Sequence, residues 1–185
     1  MLIHNNEEIN IHHSLVNAAD LWEIDSNLIN LFSNGGVGIL SKILKLDTLN
    51  DYQEKLLKAI YIYSKNTLRY EVYDKLLYIL FSLESLLNRN EHEPITQNIS
   101  ERMAFIVDKT LEGRQKIVKL VKEIYNIRSR FIHHGISELK NNEDIEKIKN
   151  FMDYSQQVFD ILIIDAFKIR SKDELLDKID NMKFS

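Results

Sequence analysis

The chain has 185 residues, with five Gly, one Pro and no Cys against 44% apolar residues, enough to bury a core and poor in helix breakers. The lack of Cys excludes disulfide frameworks, thiol nucleophiles and iron-sulfur clusters and fits a reducing cytoplasm. A formal charge of −4 excludes a uniformly basic nucleic-acid coat, so any nucleic-acid site must be local.

The first eight residues, Met1-Leu2-Ile3-His4-Asn5-Asn6-Glu7-Glu8, are polar and acidic where a secretory signal needs a positive end and an apolar run. Residues 1–48 read as an N-terminal arm with short helices, one of them near residues 27–32. Asn34-Gly35-Gly36-Val37-Gly38 reads as a turn and connector: no strand precedes it and no Lys-Ser/Thr follows, so the P-loop pattern is missing.

From residue 49 to 185 the pattern is that of a helical domain. Asn50 suits an N-cap, with Gln53 or Glu54 behind it, for a helix to about residue 67. Residues 70–88 form a helix apolar almost all round, hence central and buried. Asn90-Glu91-His92-Glu93-Pro94 ends it, because Pro94 biases Glu93 away from helical angles. A helix from 95 or 98 to about 110 follows, and Gly113 separates it from a long helix over 114–134, closed by Gly135. Residues 143–168 carry Ile145, Ile148, Met152, Ser155, Phe159, Leu162 and Ala166 three and four apart, a seam for a neighbouring helix or a second subunit. Ser171 and Glu174 suit a capping box for a short last helix. The longest apolar stretch, 158–169, is interrupted by Asp160, Asp165 and Lys168 and is too short to span a bilayer. With no strand-type alternation, the expected fold is an all-α bundle of four to six helices in a soluble, cytoplasmic protein with no membrane partner.

Two charged residues fall on apolar stripes. Arg128 continues Ile117, Val121 and Ile124 toward Phe131, and Glu84 continues Tyr73, Leu77 and Leu80 toward Leu87. A buried charge without a partner is costly, so these two either pair with each other or line a shared polar pocket. Between residues 114 and 134 six basic residues face one acidic residue, a net of +5 that leaves −9 for the rest of the chain. Lys119, Lys122, Asn126 and His133 share the polar side of that helix, a phosphate track or a solvated face. Tyr125, Tyr73 and Tyr78 are placed to stack bases or to fill core. His4, His12, His13 and His92 lack the i, i+4 spacing of a helical metal pair, and neither a metal nor another cofactor is assigned.

The segment Ile124-Tyr125-Asn126-Ile127-Arg128-Ser129-Arg130-Phe131-Ile132-His133-His134-Gly135 contains Arg, four residues, His. With its Tyr-x-x-Arg-Ser-x-x-x-His-x-Gly context it resembles the Apea-like family of HEPN domains. The resemblance takes in Phe81-Ser82-Leu83-Glu84-Ser85-Leu86-Leu87, Glu93-Pro94-Ile95, Arg102, Ala104 and Arg114, in order across residues 70–135. It implies a helical bundle, usually dimeric, acting as a metal-independent RNA endonuclease in phage defence or toxin systems, with an antitoxin or defence-system partner. Arg128 and His133 match the two catalytic positions; Glu84, Ser129 and His134 would support the pocket, and Lys119, Lys122, Asn126 and Arg130 would contact RNA. The other reading is a non-catalytic HEPN module for dimerisation, nucleotide binding or partner-protein binding.

Helical geometry sets a condition on this assignment. At about 100° per residue, His133 lies roughly 140° from Arg128 and His134 about 120° away on the other side. Either the helix loosens before Gly135, or two copies of the helix face each other to build the pocket. His133 fits the four-residue spacing, and His134 is the runner-up.

Overall fold

The computed structural model describes residues 2–5, 8–11, 35–90, 92–134 and 142–184. They form an all-α bundle, preceded in sequence by a short antiparallel ribbon. The ribbon pairs β1 (Leu2–Asn5) with β2 (Glu8–Ile11), Leu2 opposite Ile11 and Asn5 opposite Glu8. No strand was expected; four-residue strands are too short to register as alternation, although β-branched Ile3, Ile9 and Ile11 suit them. The helix expected near residues 27–32 lies outside the described residues.

Seven α-helices follow among the described residues: α1 (Gly36–Ile43), α2 (Asp51–Ser64), α3 (Val72–Leu87), α4 (Ile95–Val107), α5 (Leu111–His134), α6 (Asn142–Ile164) and α7 (Lys172–Asn181). Six of them, α2 to α7, make up the domain expected from residue 49 on and fall within the four to six anticipated; α1 is added because Gly36 and Gly38, read as a connector, sit in its first turn. That helix inserts a fully buried Ile43 into the core, with Ile39 and Leu40 packed against it, so this part of the arm joins the bundle. Burial of its apolar face outweighs the helix cost of two glycines, about 1 kcal/mol each.

Asn50 and Gln53 form a reciprocal capping box at the start of α2, with Gln53 N–H donating to Asn50 Oδ1 at 2.8 Å and Asn50 N–H to Gln53 Oε1 at 3.1 Å. The same turn is tied to the last turn of α6 and the connection after it: the Tyr52 hydroxyl donates to the Leu162 carbonyl and Asn50 Nδ2 to that of Ile169. At α7 the capping box is split. Ser171 accepts from Glu174 N–H, while Glu174 accepts from Arg170 N–H.

α3 is the central helix, with Leu76, Ile79, Leu80, Leu83, Leu86 and Leu87 buried; Phe81 is the exception at 44% exposed. The α6 seam is spent within the chain, where Ile148, Ser155, Phe159, Leu162 and Ala166 are all buried. Gly113 lies inside α5, which starts at Leu111, because Asp108 and Thr110 build the helix start ahead of it. Asp108 Oδ1 accepts from both the Thr110 N–H and hydroxyl at 2.7 Å, and Thr110 Oγ1 accepts from Gly113 N–H. No described helix is long and apolar enough to cross a membrane.

The C-terminal helix is held by charge as well as by Leu175, Leu176 and Ile179. Arg102 on α4, 2% exposed, donates from Nη1 to the Leu87 carbonyl at 2.6 Å and to Glu93 at 3.1 Å. Its Nη2 and Nε donate to Asp180 at 2.9 and 3.2 Å. Arg89 adds ion pairs to Asp173, Asp177 and Asp180. Burial works against ionisation of Asp180, but hydrogen bonds and charge from Arg102 and Lys183 outweigh it and hold the carboxyl at about 2.

Candidate functional site

Glu84 on α3 and Arg128 on α5 meet. Arg128 Nη1 donates to Glu84 Oε1 at 3.0 Å, and both side chains are mostly buried, 23% and 16% exposed respectively. The stripe positions dictate this: Ile117, Val121 and Ile124 seat α5 on the core, and the next residue of that face arrives opposite Glu84. Two turns of packing thus place a cation and an anion where neither has much water, and pairing offsets much of that desolvation.

A third member completes the group. The Tyr125 hydroxyl donates to the same Glu84 Oε1 at 2.9 Å. Burial, then the neighbouring Glu84 carboxylate, push the Tyr125 phenol far above its ordinary range. It therefore stays a donor at any physiological pH. Tyr125 is 8% exposed and does not offer a face for base stacking; Tyr73, equally buried, stacks on Phe131 with ring centroids 4.3 Å apart. Tyr78 accepts from Arg69 at 2.7 Å. Sequence reasoning missed the role of Tyr125, although its place three residues before Arg128 on the same face was a signal.

The Arg128 side chain makes only that one hydrogen bond among the described residues. Its Nε is buried without a partner, and the guanidinium lies 5.5 Å from the Phe81 ring centroid. It lines a cavity with Thr96, Tyr125, Asn126, Ser129 and Ile132. Ser129 and Asn126 are exposed, and Thr96 comes from the first turn of α4, a contribution no local sequence signal announced. The Arg128 cavity therefore has a fixed floor and a guanidinium with spare donors, an arrangement suited to an anionic oxygen.

The other expected site residues divide. Lys122 and Asn126 line an adjoining cavity against Pro94, Ile95, Thr96 and Gln97, and Lys119 and Lys122 line the next one along α5. Arg130 turns away to pair with Asp144 on α6 at 3.0 Å. His133 and His134 occupy the last turn of α5 by backbone; their side chains, like Gly135, lie outside the described residues. α5 runs without a break from Leu111 to His134, so the helix does not loosen before Gly135 within that span. Among the described residues no cluster of His, Asp and Glu has metal-site spacing. Compared with protein-family models, curated proteins and solved structures, the chain gives no match.

Proposed function

We propose that this chain is a HEPN-type, metal-independent RNA endonuclease module whose active site combines Arg128 and His133. The observation that carries the reading is Arg128 itself: a mostly buried guanidinium, anchored by one bond to Glu84, lining a cavity with its remaining donors unpaired among the described residues, five residues before His133 on one helix. Ordered sequence resemblance over residues 70–135 supplies the rest.

In this mechanism His133 assists attack of a ribose 2′-hydroxyl on the adjacent phosphodiester. The guanidinium of Arg128 holds the phosphate as negative charge builds on its oxygens. The 2′-oxygen forms a bond to phosphorus as the bond to the 5′-oxygen breaks, leaving a 2′,3′-cyclic phosphate and a 5′-hydroxyl. Ser129 and Asn126 offer hydrogen bonds at the cavity mouth, and Glu84 and Tyr125 position Arg128. Because α5 is continuous, His133 and Arg128 of one copy diverge by roughly 140°, and the active site is completed between two copies. Exposed Phe81 and Ile132, 44% and 53%, flank the Arg128 region and give a second copy apolar surface to cover.

Purified protein incubated with total RNA and EDTA tests the reading beside Arg128→Ala and His133→Ala. Cleavage by the unmodified chain alone, with cyclic phosphate ends, is expected. No cleavage, equal cleavage by all three, or 3′-hydroxyl ends overturns it.

A further inference from the structure

The cavities along α5 are contiguous. Thr96 and Asn126 line both the Arg128 cavity and its neighbour, and Lys122 lines both that neighbour and a third. The third is chemically different from the first two: its floor is apolar, made by half-buried Phe105 and Val118 with exposed Leu111 at its edge, and its rim carries Arg114, Lys119 and Lys122.

Arg114 is fixed in advance. Its guanidinium lies 4.0 Å from the Phe105 ring centroid, and its Nε donates to the Asp108 carbonyl at 2.9 Å. The stack and the bond set the plane of the guanidinium, and its terminal amino groups make no hydrogen bond among the described residues. Nearby acids are already engaged: Asp108 Oδ1 by Thr110, and Glu101 by Lys183 at 2.8 Å and Gln97 at 2.9 Å. Lys119 and Lys122 are exposed and form no ion pair with the described residues. A planar cation over an aromatic ring, an apolar floor and two open ammonium groups suit a flat apolar group with anions on either side.

We propose that this third cleft is a base-binding subsite for single-stranded RNA, in which a nucleobase lies against Arg114 and the flanking phosphates sit on Lys119 and Lys122. The proposal rests on the ribonuclease reading and extends it by giving the strand a path. Arg114 and Arg128 stand 14 residues apart on one helix, about 21 Å at 1.5 Å per residue. At roughly 3.4 Å per stacked nucleotide that separation corresponds to about six nucleotides, fewer when the strand is stretched. Lys122 and Asn126 lie between the two ends, so the path is lined throughout. A duplex does not fit the chemistry, because its base faces are stacked and closed to a side chain. An acidic peptide matches the charge and can pair with the guanidinium edge, but its carboxylates leave the apolar floor and the face of the guanidinium uncovered.

Fluorescence anisotropy with 2′-O-methyl RNA, which cannot be cut through its 2′-oxygen, tests the subsite on the full chain. The unmodified protein is expected to bind a nonamer at least tenfold more tightly than a trimer. Arg114→Ala should lose about fivefold or more of the nonamer affinity, the usual worth of one stacked base. Arg114→Lys keeps the charge and the stem and should recover less than half of that loss; Lys119→Glu, on an exposed site, should weaken the nonamer without changing the melting temperature. Nonamer binding by Arg114→Ala and Arg114→Lys equal to that of the unmodified chain overturns the subsite. So does displacement of the RNA by an equal concentration of a nine-residue Glu/Leu peptide. If long RNA is still cut in an Arg128-dependent way, only the subsite falls; if neither that cleavage nor nonamer binding occurs, the ribonuclease reading falls with it.

Discussion

Glu84 is the residue on which the Arg128 cavity depends. Glu84→Ala removes the partner of a mostly buried guanidinium and of a buried hydroxyl at once, and is expected to cost about 3 kcal/mol. Tyr125→Phe removes one donor and leaves the ion pair, so about 1 kcal/mol is expected. Urea unfolding of the two variants and their double mutant checks the order, and the cycle should show coupling because the residues share one oxygen. Equal losses for both single variants would contradict the geometry. The pairing of Glu84 with Arg128 was legible in the sequence, since two charges on apolar stripes need each other. Tyr125 and Thr96 were not: Tyr125 looks like any core aromatic, and Thr96 reaches the cavity only because α4 crosses α5.

At the scale of elements, helix positions were readable and helix ends were not. The periodicity of α3, α5 and α6 is set by burial, which the sequence records directly; the ends are set by single polar bonds, which it records weakly. Gly113 illustrates this. A Cβ there would stand 2.0 Å from Asp108 Oδ2, and that carboxylate organises Thr110 at the helix start. Gly to Ala inside a helix ordinarily gains about 1 kcal/mol, but displacing the cap costs about as much. Gly113→Ala is therefore expected to leave the melting temperature unchanged or lower it; a rise of several degrees would show that Asp108 moves aside freely. The Arg102 cluster was likewise hidden, because its acids come from residues 93 and 180. Its acid dependence follows from Asp180, held at about 2 against an ordinary 3.8. A depressed carboxyl adds stability that is complete above about pH 4 and is lost as pH falls toward 2. Thermal melts from pH 6 to pH 2.5 should show a decline that is steepest below pH 4, and Asp180→Asn should flatten it while lowering stability at pH 6.

For the whole molecule, the distribution of charge matters more than its sum. The chain totals −4, yet the open cations of α5 stand together along one line of cavities while much of the acid is spent in internal pairs around Arg89, Arg102 and Lys147. Under the RNA reading, three phosphate contacts made by Lys119, Lys122 and Arg128 predict that log affinity for a single strand falls with log salt at a slope of about −2. Lys119→Glu together with Lys122→Glu should make the slope clearly shallower, as measured by anisotropy across a salt series. An unchanged slope would mean that the strand does not follow this face.

The oxygen shared by Tyr125 and Arg128 has a consequence for ligand exchange. An arginine that leaves a mostly buried carboxylate for an incoming anion ordinarily strands that carboxylate, and the cost is charged against binding. Here Glu84 Oε1 would keep the Tyr125 hydroxyl as a donor if the guanidinium turned outward. The bond would soften the loss of the cation without replacing its charge, so the carboxylate would stay hydrogen-bonded while Arg128 met an incoming anion. Tyr125→Phe would remove that support and make the same exchange costlier.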